Sequence, residues 1–126
     1  MLYRNLMLID DDEEDQEIFN VALSEVARLA TCINYSDATK ALRDLNSTTD
    51  FPDVIFLDLN MPIMNGQQFL VEIKKNKKLK HIPIIIFSTS SHAATIQITK
   101  LLGAHDFITK PGDFEKLKMI LRELIN

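Results

Sequence analysis

Asp10, Asp11 and Asp12 follow one short apolar run, Asp58 follows another, Ser88 ends a third, and Lys110 comes after a fourth. Three carboxylates gathered together suit a hard divalent cation such as Mg²⁺, which prefers oxygen ligands. A serine hydroxyl and a lysine ammonium suit an anion that the same cation also touches. A phosphoryl group meets both demands, with one carboxylate as the candidate nucleophile. The segment LMLIDDDEEDQEI (6–18) carries seven acids in eight consecutive positions. Helix-start acids are favoured by the positive end of the helix dipole, by about 0.3–1 kcal/mol each. That explains Glu13, Glu14, Asp15 and Glu17, but not Asp10 and Asp11, which lie where a strand ends. Two carboxylates about 4 Å apart repel by about 4 kcal/mol at an effective dielectric of about 20, so a positive partner is expected beside them. Asp12 fits two roles equally, a helix cap or an outer helper of the pair.

These residues share a site only if the chain folds so that strand ends meet. Five short runs read as strands: Leu6–Ile9, Thr31–Tyr35, Val54–Leu57, Ile84–Phe87 and Phe107–Thr109. Three of them are nearly continuous in apolar residues, as parallel strands covered on both faces are. Helical spacing separates them. Ile18, Val21, Ala22, Val26 and Leu29 form one apolar stripe, and Ala38, Ala41, Leu42 and Leu45 a second, weaker one. Phe69, Leu70 and Ile73 form the third, Ala94, Ile98, Leu101 and Leu102 the fourth, and Phe114, Leu117, Ile120, Leu121 and Leu124 the fifth. Ser36 and Asp113 stand in N-cap positions, any of Ser88, Thr89, Ser90 and Ser91 is suited to cap the fourth helix, and Gly103 follows its helix as a C-terminal cap should. Alternating strands and helices predict an α/β domain, a doubly wound five-stranded parallel sheet with helices on both faces. In such a sheet the site lies at the carboxyl ends of the strands, where Asp10, Asp11, Asp12, Asp58, Ser88 and Lys110 fall.

The 126 residues predict a single domain spanning 1–126. Apolar residues make up 46% and charged residues 25%, which excludes a disordered chain. The net charge of −4 and the absence of a basic stripe argue against direct nucleic-acid binding. The lysines between Lys74 and Lys80 read as a helix C-terminus and its loop. A single cysteine, Cys32, suits a reducing compartment, and no apolar stretch is long enough to span a bilayer, so a cytoplasmic protein is expected.

The stretches LMLIDDD, VIFLDLNMPIMNG, IPIIIFSTSS and GAHDFITKPGD, in this order and over essentially the whole chain, resemble the receiver domain of bacterial response regulators. The resemblance implies a (βα)5 fold with strand order 2-1-3-4-5. It implies that Asp58 is the phospho-accepting aspartate, taking a phosphoryl group from a sensor histidine kinase or a histidine phosphotransfer protein. Asp11 would be the direct carboxylate ligand of Mg²⁺ (or Mn²⁺ in its place), with Asp10 acting through water and with Asp58 and the Asn60 carbonyl completing the protein's share. Lys110, the Ser88 hydroxyl and the Thr89 N–H would bind phosphoryl oxygens. Ser88 and Phe107 would be the switch pair that alters the face of the fourth helix, fifth strand and fifth helix for a downstream protein target, with Ile96 and Met119 on that face. Phe107 reads equally as a core aromatic, since it lacks the hydroxyl many relatives carry. Ser88 stands where threonine is common, Thr89 where a smaller residue is usual, and Gly112 where an apolar residue often follows Lys-Pro. Asn60 and Ser90 occupy positions that tune attack by water, which implies measurable self-hydrolysis.

Other functions fit less well. A haloacid-dehalogenase-type phosphatase needs D-x-D, and Asp58-Leu59-Asn60 lacks the second acid. Neither G-x-G-x-x-G after the first strand nor a P-loop appears, and with only three glycines a nucleotide or flavin module has little support. A pseudo-receiver, binding partners without phosphorylation, is disfavoured by the joint presence of Asp11, Asp58, Ser88 and Lys110. The expectation is a free-standing receiver: a signalling protein rather than an enzyme, acting by docking or by passing its phosphoryl group on.

Overall fold

The computed structural model describes residues 2–126. Five strands alternate with five helices: β1 (Asn5–Ile9), α1 (Glu13–Val26), β2 (Thr31–Tyr35), α2 (Ala38–Ser47), β3 (Val54–Leu57), α3 (Gly66–Lys75), β4 (Ile84–Ser88), α4 (Ala93–Leu101), β5 (Asp106–Thr109) and α5 (Phe114–Ile125). The strands form one parallel sheet in the order β2-β1-β3-β4-β5, and the register sets Leu6 opposite Val54, Ile55 opposite Ile84 and Ser88 opposite Thr109. β1, β3 and β4 are interior strands, and their apolar runs are buried on both faces. β2, at one edge, is largely exposed.

Successive side chains of a strand point to opposite faces, so each central strand feeds two cores. On one face Met7, Ile9, Ile55, Leu57, Ile84 and Ile86 pack against α2 and α3 through Ala41, Leu45, Phe69, Leu70 and Ile73. On the other, Leu6, Leu8, Val54, Phe56 and Phe87 meet α1 and α5 through Phe19, Leu23, Leu117 and Leu121. Phe19, Phe56 and Phe87 stack edge-on there, with centroids 5.0–6.4 Å apart.

Several local expectations need correction. In α1 the buried residues are Phe19, Ala22 and Leu23, whereas Ile18 and Val21 are exposed and Leu29 lies beyond the helix end, also exposed. Two apolar stripes overlap on this helix, and the sheet takes the one containing the larger aromatic. In α4 Ile98 and Leu101 face solvent, Ala94 is exposed too, and Thr99 is the buried residue. The Thr99 hydroxyl donates to the Ile96 carbonyl at 3.0 Å, which removes the cost of burying it. The cap of α2 is Asp37, not Ser36: Asp37 Oδ1 accepts the Thr39 N–H at 2.8 Å, and the Ser36 hydroxyl instead accepts from Gln16 Nε2. The cap of α4 is His92, without a side-chain bond, and none of the serines before it serves.

Two glycines are required. Gly103 has φ +104°, and the bonds Ala104 N–H to Thr99 O (2.9 Å) and Gly103 N–H to Lys100 O (3.1 Å) make it the left-handed turn of a Schellman motif. Gly66 opens α3 against the backbone of Asp58 and Leu59, where a Cβ would lie 2.8 Å from Leu59 Cα. Asn65 and Gln68 form a capping box just before it. The same loop turns sharply at Ile63 (φ 70°), with Met64 N–H on the Pro62 carbonyl at 2.8 Å. The β3–α3 loop is thereby pinned against the backbone of Asp58 and Leu59, with the Gly66 N–H on the Leu59 carbonyl at 3.0 Å.

Candidate functional site

Asp10, Asp58, Ser88 and Lys110 lie at the carboxyl ends of β1, β3, β4 and β5, and the strand order sets those ends side by side. Backbone bonds fix each one. Asp10 N–H bonds to Tyr35 O (2.9 Å), Asp58 N–H to Ile9 O (2.9 Å) and Lys110 N–H to Ser88 O (2.8 Å). Gln16, one turn into α1, ties the β1 end to the β2 end by donating to the carbonyls of Asp10 and Tyr35.

One carboxylate oxygen from each of Asp10, Asp11 and Asp58 lies within 4.8 Å of the others. Asp10 and Asp58 are buried, 1% and 7% exposed, while Asp11 is open to solvent. The positive partner this cluster requires is Lys110. Its Nζ lies 2.8 Å from Asp10 Oδ2, 2.9 Å from Asp15 Oδ2 and 3.9 Å from Asp58 Oδ1, and 5.8 Å from the centre of the Phe87 ring.

Asp10 is already occupied through both oxygens, since its Oδ1 accepts the Asp12 N–H at 3.0 Å. Asp58 Oδ1 accepts the Leu59 N–H at 2.9 Å, and Oδ2 carries no protein hydrogen bond among the described residues. Asp12 is the N-cap of α1, its side chain accepting from Glu14 and Asp15 N–H, which decides between the two roles the sequence left open. The Ser88 hydroxyl is fully buried and accepts weakly from Ser90 N–H at 3.4 Å. Asn60 and Thr89 are both exposed, and Asn60 lines a groove together with Met61, Asn65, Gln67, Ser90 and Thr95. Phe107 is half-buried against the α2–α3 core.

Burial dominates the titration of this cluster. It pushes the Asp58 pKa up to about 6 from 3.8, and the neighbouring Asp10 and Asp11 charges add to this against the attraction of Lys110. Burial also raises Asp10, outweighing its bond to Lys110. For Lys110 burial opposes the charge, but hydrogen bonds to Asp10 and Asp15 overcome it and hold the pKa above its ordinary value. Burial also pushes the Cys32 thiol up to about 12, which disfavours its thiolate.

Asp15 is the one residue here that sequence reasoning had assigned to the helix dipole alone. It does lie in the first turn of α1, and in addition it reaches a lysine 95 positions away. The extra acid at a helix start was visible in the sequence; its partner was not.

A doubly wound sheet in this order, with acids, a serine and a lysine at its carboxyl edge, defines the architecture of receiver domains. The chain belongs to the response regulator receiver domain family, whose profile matches residues 6–122. It is therefore a receiver module of two-component signalling. It is 33% identical over 118 residues to the two-component response regulator ORR8 of Oryza sativa subsp. japonica, covering 94% of this chain and 95% of that one. Among solved structures it resembles the phosphorylated cyanobacterial phytochrome response regulator RcpA, with TM-score 0.88, 28% identity, and coverage of 97% of this chain and 91% of that one. The Mn²⁺-bound form of response regulator Rcp1 matches with TM-score 0.85, 25% identity, and coverage of 96% and 91%. Among the described residues no helix is long and apolar enough to cross a membrane.

Proposed function

We propose that Asp58 accepts a phosphoryl group from a phosphohistidine on a sensor histidine kinase or phosphotransfer protein, and that the modified receiver then binds a downstream protein. The observation carrying this reading is the Asp58 carboxylate itself: buried, fixed through Oδ1, with no hydrogen bond to Oδ2 among the described residues and a lysine ammonium 3.9 Å from Oδ1. With a pKa of about 6, Asp58 is mostly ionised at neutral pH and so is available as a nucleophile. Its oxygen attacks phosphorus, the P–N bond to the donor imidazole breaks, and the bonding pair leaves with the ring nitrogen, which takes up a proton from solvent. An acyl phosphate on Asp58 results. Lys110 and the Ser88 hydroxyl hold phosphoryl oxygens as charge shifts onto them, joined by the Thr89 N–H, and positioning with charge neutralisation is most of the catalysis.

The donor set fits Mg²⁺, with Mn²⁺ as a substitute: three carboxylates converge, all hard oxygen donors. Asp11 and Asp58, with the Asn60 carbonyl, would hold the ion, and Asp10, saturated by Lys110 and Asp12, would act through water. When bound, the ion supplies charge to offset the carboxylates and the incoming phosphoryl group. The Rcp1 structure, described as Mn²⁺-bound, supports this choice of metal by analogy.

The output runs through Ser88 and Phe107 in this reading. Drawing the Ser88 hydroxyl toward the phosphoryl group vacates space that Phe107 takes up. Phe107 borders a cleft of about 300 Å³ with Ile96, Thr99, Ala104 and His105, which gives its ring a second place to go. Ile96 and Met119 are exposed on the α4–β5–α5 face, where the change would be sensed by a partner. Incubation with Mg²⁺ and acetyl phosphate should add one phosphoryl group to the protein, and EDTA should prevent it. A protein that stays unlabelled under these conditions is instead a phosphorylation-independent binding module.

A further inference from the structure

We propose that Asp15 is a positioning residue that holds the Lys110 ammonium away from Asp58 until a phosphoryl group draws it across. The inference rests on Asp58 being the acceptor and Lys110 its phosphoryl-binding cation. A lysine ammonium has three N–H donors. Two are taken, by Asp10 Oδ2 at 2.8 Å and Asp15 Oδ2 at 2.9 Å, while Asp58 Oδ1 at 3.9 Å lies beyond hydrogen-bond reach.

The two partners are unequal. Asp10 is buried at the end of β1, and its second oxygen is fixed by the Asp12 N–H. Asp15 projects from the first turn of α1, is about one-third exposed, and its carboxylate has no other protein partner among the described residues. Water can replace Lys110 at Asp15 but has little access at Asp10. The root of the lysine is anchored by its N–H on Ser88 O, so exchanging partners requires only the side chain to move. A phosphoryl group on Asp58 offers at least the charge that Asp15 offers, beside a carboxylate whose Oδ1 already lies 3.9 Å from the ammonium. Asp15 also adds a fourth negative charge to those of Asp10, Asp11 and Asp58, which opposes the approach of any anion. Both effects act in one direction: the native Asp15 weakens engagement of the phosphoryl group.

The test uses beryllofluoride, a non-covalent stand-in for a phosphoryl group on a carboxylate, titrated calorimetrically into the full chain at saturating Mg²⁺. The Asp15→Asn variant should bind about threefold or more tightly than the native protein. Asp15→Glu, which keeps the carboxylate within reach of Lys110, should return to native affinity; a purely structural role for Asp15 would not produce this rescue. Asp15→Ser serves as a second neutral variant and should match Asp15→Asn. Native protein that binds no beryllofluoride overturns the acceptor reading. Native protein that binds it, with both neutral variants equal or weaker, overturns the Asp15 inference alone.

Discussion

Ionised Asp58 opposes folding of the metal-free protein, because burial and two neighbouring acids outweigh the help it gets from Lys110. Its folded pKa of about 6 exceeds the ordinary 3.8, so the folded state binds the proton more tightly than the unfolded chain does. Stability from this group is therefore greatest below pH 3.8 and is lost as pH rises through 6. Asp58→Asn should raise the stability of the metal-free protein at pH 7 by up to about 3 kcal/mol, with the two proteins converging in acid, as read from melting curves across pH. Lys110→Ala acts oppositely. It leaves Asp10 buried without its counter-charge and should cost about 3–5 kcal/mol at neutral pH, with partial recovery in acid as Asp10 takes up a proton. At this scale the sequence was informative about Asp10, Asp11, Asp58, Ser88 and Lys110, because each follows or ends an apolar run. It was silent on which acid the lysine holds, since Asp15 and Lys110 are brought together only by the packing of α1 beside α5.

The elements hold the site through a few irreplaceable contacts, and the two constrained glycines separate them. Gly66→Ala would force a Cβ into Leu59 and the Asp58 carbonyl, so it should lower both stability and the extent of phosphorylation by acetyl phosphate. Gly103→Ala strains a left-handed turn far from the carboxylates, so it should lower stability by about 1 kcal/mol and leave phosphorylation unchanged. Comparing labelling of the two variants at a temperature where both are folded checks the distinction. The central strands were legible because a strand buried on both faces is apolar along its length, as β3 is throughout and β4 is up to Ser88. The helices α1 and α4 were harder. Ile18, Val21, Ile98 and Leu101 have the spacing of a core stripe yet face solvent, while Phe19 and Thr99 are buried. Apolar spacing identifies a helix, but only the sheet decides which of two overlapping stripes it covers, and a threonine that satisfies its own hydroxyl escapes a search for apolar residues.

Taken whole, the molecule is a sheet covered by helices on both faces with a poorly neutralised acidic edge, four carboxylates against one lysine among the described residues. A bound cation should therefore act on the entire domain. Mg²⁺ at a hundredfold above its Kd should add about 2.7 kcal/mol to stability at pH 7, seen as a rise in Tm. That gain should shrink as pH falls through 6, where protons compete for Asp58, and Asp11→Ala should greatly reduce it. The strand order supplies the logic of the site, since residues separated by up to a hundred positions meet only because β1 sits between β2 and β3 and β4 joins β3 to β5. That order came from the resemblance to receiver domains, not from spacing, and the structure has it. The most direct test of the central claim is where the phosphoryl group goes. After incubation with Mg²⁺ and acetyl phosphate, borohydride reduces an acyl phosphate to an alcohol, and peptide mass spectrometry then locates the altered side chain. Reduction confined to residue 58, absent from Asp58→Asn and from samples kept in EDTA, is the predicted result. Label found on Ser88, on Asp10 or Asp11, or persisting in Asp58→Asn would contradict it.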